Sequence, residues 1–190
     1  MRRISFAVVA AIALAGVFGS ATAQDAAPGM AKEVETPDGC ITQEGAEFKD
    51  GKWVLPDGTP TFRVCKKDNN IVVDWATYNG YRRYHGECHV CHGPNGLGST
   101  YAPSLADSLK NMDYGTFLGV VASGRVRDAA GTKFVMPAFG DNKNVMCFIN
   151  DLYVYLKARG DALPAGQLGG RNRDEKPEEA KAEEKACLGS

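Results

Sequence analysis

Hydrophobic positions change their rhythm along the chain. Ile4 to Phe18 is an unbroken apolar run, preceded by Arg2 and Arg3 and followed by Ala21-Thr22-Ala23. This is the layout of a removable export signal over residues 1–23, with a mature chain starting at Gln24. The run is short of the ~20 residues that span a bilayer, which favours cleavage over a retained anchor. Residues 24–39 are small, polar and broken by Pro and Gly, as in a flexible leader. Over 40–77, short apolar stretches alternate with turn residues. Gly51 to Leu55, the turn Pro56-Asp57-Gly58, and Thr61 to Cys65 predict one hairpin, with a third strand at Ile71–Val73. Trp53 and Trp75 are expected to pack there.

From Tyr78 the period becomes helical. Tyr81 and Tyr84 are three apart, which predicts a helix from Tyr78 to about Cys91, stopping near Gly93-Pro94-Asn95-Gly96. Asn111 to Ser123 predicts a second helix, capped by Asn111 or Asp113. Asn144 to Ala158 predicts a third, with Val145, Phe148, Ile149, Leu152 and Leu156 on one face and Gly160 closing it. Residues 161–190 read as a C-terminal extension. Within it Asp174 to Lys185 holds six acids and three Lys, the composition of a solvated acidic tail. The expected fold class is mainly α, with a small hairpin-like N-terminal extension, a helical domain over 78–160 and this tail.

Composition narrows the function. At 44% hydrophobic and 24% charged the chain is neither collagen-like, coiled-coil nor wholly disordered. A formal net charge of −1, more acidic once Arg2 and Arg3 are removed, is a poor basis for non-specific nucleic-acid binding. Six Cys and three His carry the chemistry.

Cys88-His89-Val90-Cys91-His92 is a C-x-x-C-H pattern, the attachment site of c-type haem. Two thiols one helical turn apart can add to two vinyl groups on one porphyrin edge. The following His92 then faces the iron as proximal ligand. Zinc would need a second ligand pair, and none is present in the sequence. A thioredoxin-like redox pair would need a βαβ context. For the sixth iron position the candidates are Met112, Met136, Met146, His85 and His89. The two His lie on the attachment helix itself. Met136, in Val135-Met136-Pro137-Ala138-Phe139-Gly140, stands in a loop between helices, and Pro137 biases it toward extended backbone. Met112 and Met146 read as core fillers. Pro103 either offers its carbonyl to the other ring nitrogen of His92 or is a plain loop proline. Arg125 and Arg127 either pair with haem propionates or are surface charges.

With these residues in view, 78–159 resembles a class I cytochrome c domain. The carrying features are the CHVCH site, Ala102-Pro103-Ser104-Leu105, the Met136–Gly140 segment and the terminal Tyr155-Leu156-Lys157-Ala158-Arg159. The resemblance implies that Gly80, Tyr84 and Tyr153 lie where the first and last helices cross. The whole mature chain is also similar to the c-type cytochromes of methanol metabolism, such as cytochrome cL and the cytochrome paired with lanthanide-dependent enzymes. That likeness rests on the extension with Cys40 and Cys65, the run Asp74 to Gly80 and the terminal extension. It implies a periplasmic quinoprotein methanol or alcohol dehydrogenase as electron donor.

Four further Cys allow three pairings. Local organisation favours Cys40–Cys65 and Cys147–Cys187, against a free Cys147 and a frayed Cys187. A His/Met-ligated iron leaves no open site, so the expectation is a monomeric, periplasmic one-electron carrier with one haem c. It would hand electrons to another cytochrome c or a terminal oxidase, without catalysis, nucleic acid or a membrane anchor. The rival readings are a haem enzyme or gas sensor, and a fixed haem subunit of a larger complex.

Overall fold

The computed structural model describes residues 29–68, 70–129, 131–163 and 172–189. The export signal expected over 1–23 lies outside them. The N-terminal region is a four-stranded antiparallel sheet of β1 (Glu33–Glu35), β2 (Cys40–Gln43), β5 (Val64–Lys67) and β6 (Asn70–Val73), in that order, and a separate hairpin of β3 (Glu47–Lys49) and β4 (Lys52–Val54). The single expected hairpin is present only in part: around the Pro56-Asp57-Gly58 turn Val54 bridges Pro60 and Thr61 N donates to the Trp53 carbonyl (2.9 Å), but the pairing does not continue to Cys65. The strand containing Trp53 pairs backward with β3, and Phe48 lies opposite Trp53. The cause is the Asp50-Gly51 turn, where both residues have positive φ, the conformation a two-residue hairpin loop requires. Val64 and Cys65 pair instead with β2 and β6.

Of the flexible leader expected over 24–39, residues 24–28 lie outside the described residues, and the remainder is held in place. Glu33–Glu35 pairs with Ile41–Gln43. The buried Gln43 amide donates to the carbonyls of Gly29 (3.0 Å) and Ala31 (2.8 Å) and accepts from the Thr61 hydroxyl (2.7 Å). A buried amide left without these partners would cost roughly 1–3 kcal/mol, so the chain from residue 29 is tied down by polar satisfaction. Cys40 and Cys65, opposite each other in register, are disulfide-bonded.

The sheet hands over to α1 (Trp75–Glu87) through Asp74, three residues earlier than the period predicted. The buried Asp74 carboxylate accepts from Thr77 N (2.9 Å), the Thr77 hydroxyl (2.6 Å) and Arg63 N (2.8 Å). One side chain therefore caps the helix and fastens it to the strand approach. After Cys88 the chain makes a short turn, α2 (His89–His92), then a 3-10 turn (Pro94–Gly96) and α3 (Leu105–Ser108). Helix α4 (Tyr114–Ser123) is capped by Asp113, the second of the two candidates. Next come a hairpin, β7 (Arg125–Ala129) with β8 (Thr132–Met136), then α5 (Lys143–Met146) and α6 (Ile149–Asp161).

The third helix is thus two, interrupted at Cys147-Phe148, and Gly160 lies inside it instead of closing it. Gly160 is there for proximity, since a Cβ would lie 2.5 Å from the Ala106 carbonyl. At the α1–α6 crossing, a Cβ on Gly80 would meet the Asp151 carbonyl at 1.8 Å. Tyr155, not Tyr153, meets Tyr84 there, with ring centroids 5.4 Å apart. Tyr153 turns to Tyr114 and Phe117. With seven helices and eight strands among the described residues, the architecture is a helical core joined to small sheets, less purely α than expected.

The acidic segment is not a loose tail. Glu178–Leu188 forms α7, which is linked to the α5–α6 junction by the Cys147–Cys187 disulfide. Glu183 pairs with Lys52 at 2.6 Å and Glu184 with Arg83 at 3.5 Å. None of its residues is buried, and a helix of this length is marginal by itself. The covalent link acts together with a backbone bridge just ahead of α7, where Val73 N donates to Asn172 O (3.1 Å) and Asp174 N to Val73 O (3.0 Å). A Cys147→Ser/Cys187→Ser chain should lose about 3–4 kcal/mol in urea unfolding, the chain-entropy figure for a loop of this size. An unchanged midpoint and slope would assign the tethering to the ion pairs and the bridge.

Candidate haem site

Cys88, Cys91 and His92 are set by the end of α1 and by α2. Cys88 N still bonds to Tyr84 O (2.9 Å), and His92 N reaches back to Cys88 O (3.0 Å). Both thiols and the imidazole thus follow from one nearly continuous helical turn. Cys88 and Cys91 are the unpaired cysteines. Burial pushes the Cys88 thiol up to about 12, with Glu87 and Cys91 adding to the effect. That is the opposite of the lowered pKa an attacking redox thiol requires.

The buried His92 ring is fixed by its Nδ1, which donates to the Pro103 carbonyl at 2.9 Å. A carbonyl can only accept, so the proton sits on Nδ1 and Nε2 carries the lone pair, the form a metal ligand needs. The loop that brings Pro103 back depends on close backbone packing. Gly93 and Gly98 have positive φ, and a Cβ on Gly93 would lie 2.3 Å from the Gly98 carbonyl. Tyr84 donates to the Gly93 carbonyl and Arg159 Nε to the Asn95 carbonyl (3.1 Å).

Met136 is not in an irregular loop. It ends β8, opposite Arg125, and is half-buried against the apolar cluster that also receives Cys88. Gly124, which sequence reasoning passed over, makes this possible. It follows α4 directly, and a Cβ there would meet the Met136 carbonyl at 2.6 Å. Its signal was available as a Gly immediately after a periodic segment, the usual helix-end position. Phe139 N and Gly140 N then bond to Val121 O and Ala122 O (both 3.0 Å), pinning the segment to α4. Met112 and Met146 are half-buried packing partners of the same cluster. Arg125 and Arg127 are exposed, and Arg127 lies over Phe134 at 5.6 Å. Among the described residues, no group of three or more His, Cys, Asp or Glu could hold a bare metal ion. Two free thiols, one oriented imidazole and one half-buried thioether fit haem c.

No family model matches the chain. Cytochrome c-553I of Paracoccus denitrificans is 46% identical over 142 residues, 74% of this chain. The chain spans 61% of the length of that protein. Cytochrome c-555 of Methylococcus capsulatus is 45% identical over 98 residues, half of this chain and 73% of the relative. The crystal structure of the c-type cytochrome XoxG from Methylobacterium extorquens AM1 superposes with a TM-score of 0.67 at 47% identity, covering 85% of this chain and all of that one. With a relative this similar over most of its length and a shared fold, the chain belongs to the c-type cytochromes, electron-transfer proteins with covalently attached haem c.

Proposed function

We propose that Cys88 and Cys91 form the two thioethers, that His92 is the proximal iron ligand and that Met136 is the distal one. The chain then carries single electrons from a periplasmic quinoprotein methanol or alcohol dehydrogenase to a downstream cytochrome or oxidase. The observation that carries the reading is His92, buried, with Nδ1 held by Pro103 and Nε2 left for iron, beside the unpaired cysteines. Haem c supplies a one-electron ferrous–ferric couple. The protein's own residues position and shield it. Pro103 fixes the imidazole, Gly124 and the β7–β8 pairing hold the Met136 thioether, and the cluster around Tyr84, Leu109 and Leu156 keeps water away. A neutral sulfur ligand and a low-dielectric surround both favour the ferrous state. Arg125, next to Met136 in the hairpin, is the candidate partner for a propionate.

Val90, Leu97 and Tyr101, each at least half exposed, flank the attachment turn. Such a small apolar face suits brief docking with redox partners. No helix among the described residues is long and apolar enough to cross a membrane. Together with the expected export signal, this supports a periplasmic location. The methanol-linked donor rests on the resemblance of the whole mature chain, and the likeness to XoxG along that protein's full length supports it. Stopped-flow reduction of the ferric protein tests the donor. A methanol-linked quinoprotein dehydrogenase should reduce it faster than enzymes linked to other alcohols. Equal or slower reduction would remove methanol from the assignment while leaving the carrier role intact.

A further inference from the structure

The two disulfides differ in what surrounds them. Cys40 and Cys65 are buried, at 0% and 3% exposure, inside the pairing of β2 with β5. Cys187 is exposed in the last turn of α7, and Cys147 is half-buried at the α5–α6 junction. Thiol–disulfide exchange requires a thiolate to reach a sulfur, so a soluble dithiol has access to the second bond and not to the first. What the second bond holds is also weakly held otherwise. Helix α7 buries no residue of its own and is short for a helix to persist alone. Its Glu183–Lys52 pair has side chains 61% and 30% exposed, and pairs of that kind add little. Beneath α7 is a cleft, with Ala180 and Glu183 on one wall and Trp75, Asn79, Phe148 and Asp151 on the other. Cys147 lines the same cleft.

We propose that Cys147–Cys187 is a redox latch and α7 the strap it closes, opened by a protein dithiol of the thioredoxin-fold class to uncover the cleft at the α1–α6 crossing. One thiolate of the dithiol attacks Sγ of Cys187, the exposed sulfur. The Cys147–Cys187 bond breaks, and Cys147 leaves as a thiolate and takes up a proton. The second thiolate of the dithiol then attacks the mixed disulfide and releases Cys187, which is protonated in turn. Two electrons and two protons pass from the dithiol to the protein, and the dithiol becomes a disulfide. With the bond gone, Glu183 and Glu184 separate from Lys52 and Arg83, and those two cations turn to solvent. Arg83 keeps its seat over the Phe148 ring, 3.3 Å from the centroid. The Asp151 carboxyl, raised by burial and by repulsion from Glu183, gains water and loses that neighbour. The Val73–Arg173 bridge holds the root of the strap, so reoxidation can close it again.

The test uses the haem-loaded protein in native buffer, kept ferrous with ascorbate so that the haem takes no electrons from the thiols. Reduced thioredoxin and, separately, dithiothreitol are added at equal dithiol concentration. Free thiols are then alkylated and located by peptide mass. Both reagents should label Cys147 and Cys187 while Cys40 and Cys65 stay unlabelled. Amide hydrogen exchange in α7 should quicken by more than about 10-fold after reduction, a part of what releasing a cross-link over this loop permits. Exchange in β2 and β5 should not change. A Cys147→Ser/Cys187→Ser chain should show the fast α7 exchange with no reagent at all. Labelling of all four cysteines together, or of none without denaturant, would overturn the proposal. So would slow α7 exchange in the reduced protein or in the double variant, since the strap would then stay shut without its bond. Opening by dithiothreitol alone would show an exposed disulfide that no protein dithiol operates, and would overturn it too. All these outcomes are independent of the electron donor.

Discussion

Met136→Ala should abolish the sulfur-to-iron charge-transfer band at the red end of the ferric spectrum and let the ferrous protein bind carbon monoxide. The potential should fall by on the order of 100 mV or more, within the ~0.8 V range over which axial ligands move haem potentials. The variant isolates the thioether because the backbone there is held independently of it. Strand pairing with Arg125, the close approach of Gly124 and the Phe139–Val121 bond remain when the side chain is cut back. Met112→Ala and Met146→Ala remove sulfurs packed against the same cluster and should leave the band in place. If the band survives in Met136→Ala and disappears in one of the other two, the distal ligand has been misassigned. If the untouched protein lacks the band and binds carbon monoxide readily, the closed-iron carrier gives way to a gas-binding or catalytic haem protein.

What could be read from sequence depended on how local the signal was. The CHVCH turn is five consecutive residues, and the helix bearing it is amphipathic, so motif and element were legible together. The two disulfides, Cys40–Cys65 and Cys147–Cys187, also matched the nearest-neighbour pairing expected. The strand partners matched only in part. Asp50-Gly51 is a turn that the strand pattern hides, so the second partner of Trp53, Phe48 on β3, was not legible beside the expected contact with Thr61. The β7–β8 hairpin was missed because its alternation, Arg125-Val126-Arg127 against Phe134-Val135-Met136, leaves Val126 and Val135 exposed and so lacks a buried face. Helix α7 was unreadable for another reason. Its composition is that of a solvated segment, and its position comes from Cys187, the bridge ahead of it and two long-range ion pairs. Its acids have a further consequence at the helix crossing.

Asp151→Asn should stabilise the protein at pH 8 and do almost nothing near pH 4. Asp151 stands in the first turn of α6, where a carboxylate is normally favoured by the helix dipole. Here burial wins and pushes its carboxyl up to about 7; the hydrogen bond from Asn79 (2.7 Å) pulls the other way, and Asp74 and Glu183 add repulsion that Lys52 only partly relieves. The folded protein therefore holds a proton that the unfolded chain, at an ordinary 3.8, has already released. Between those two values the native state binds more protons, so stability falls as pH rises through the window and levels off above it. A shift of this size corresponds to about 4 kcal/mol as an upper figure. Asn is neutral and can still accept the Asn79 bond, so the variant lacks the slope. The quantity to measure is the difference in urea-unfolding free energy between wild type and Asp151→Asn from pH 4 to 8. Asp161, also raised by burial, cancels in that difference, whereas Asp74, raised by burial too, enters it through its repulsion with Asp151. Asp107 and Asp113, held low by their hydrogen bonds, act only below the window. A difference that stays flat, or grows toward acid, would mean that Asp151 is ionised throughout and that the acids of α7 and the α1–α6 crossing do not act on one another.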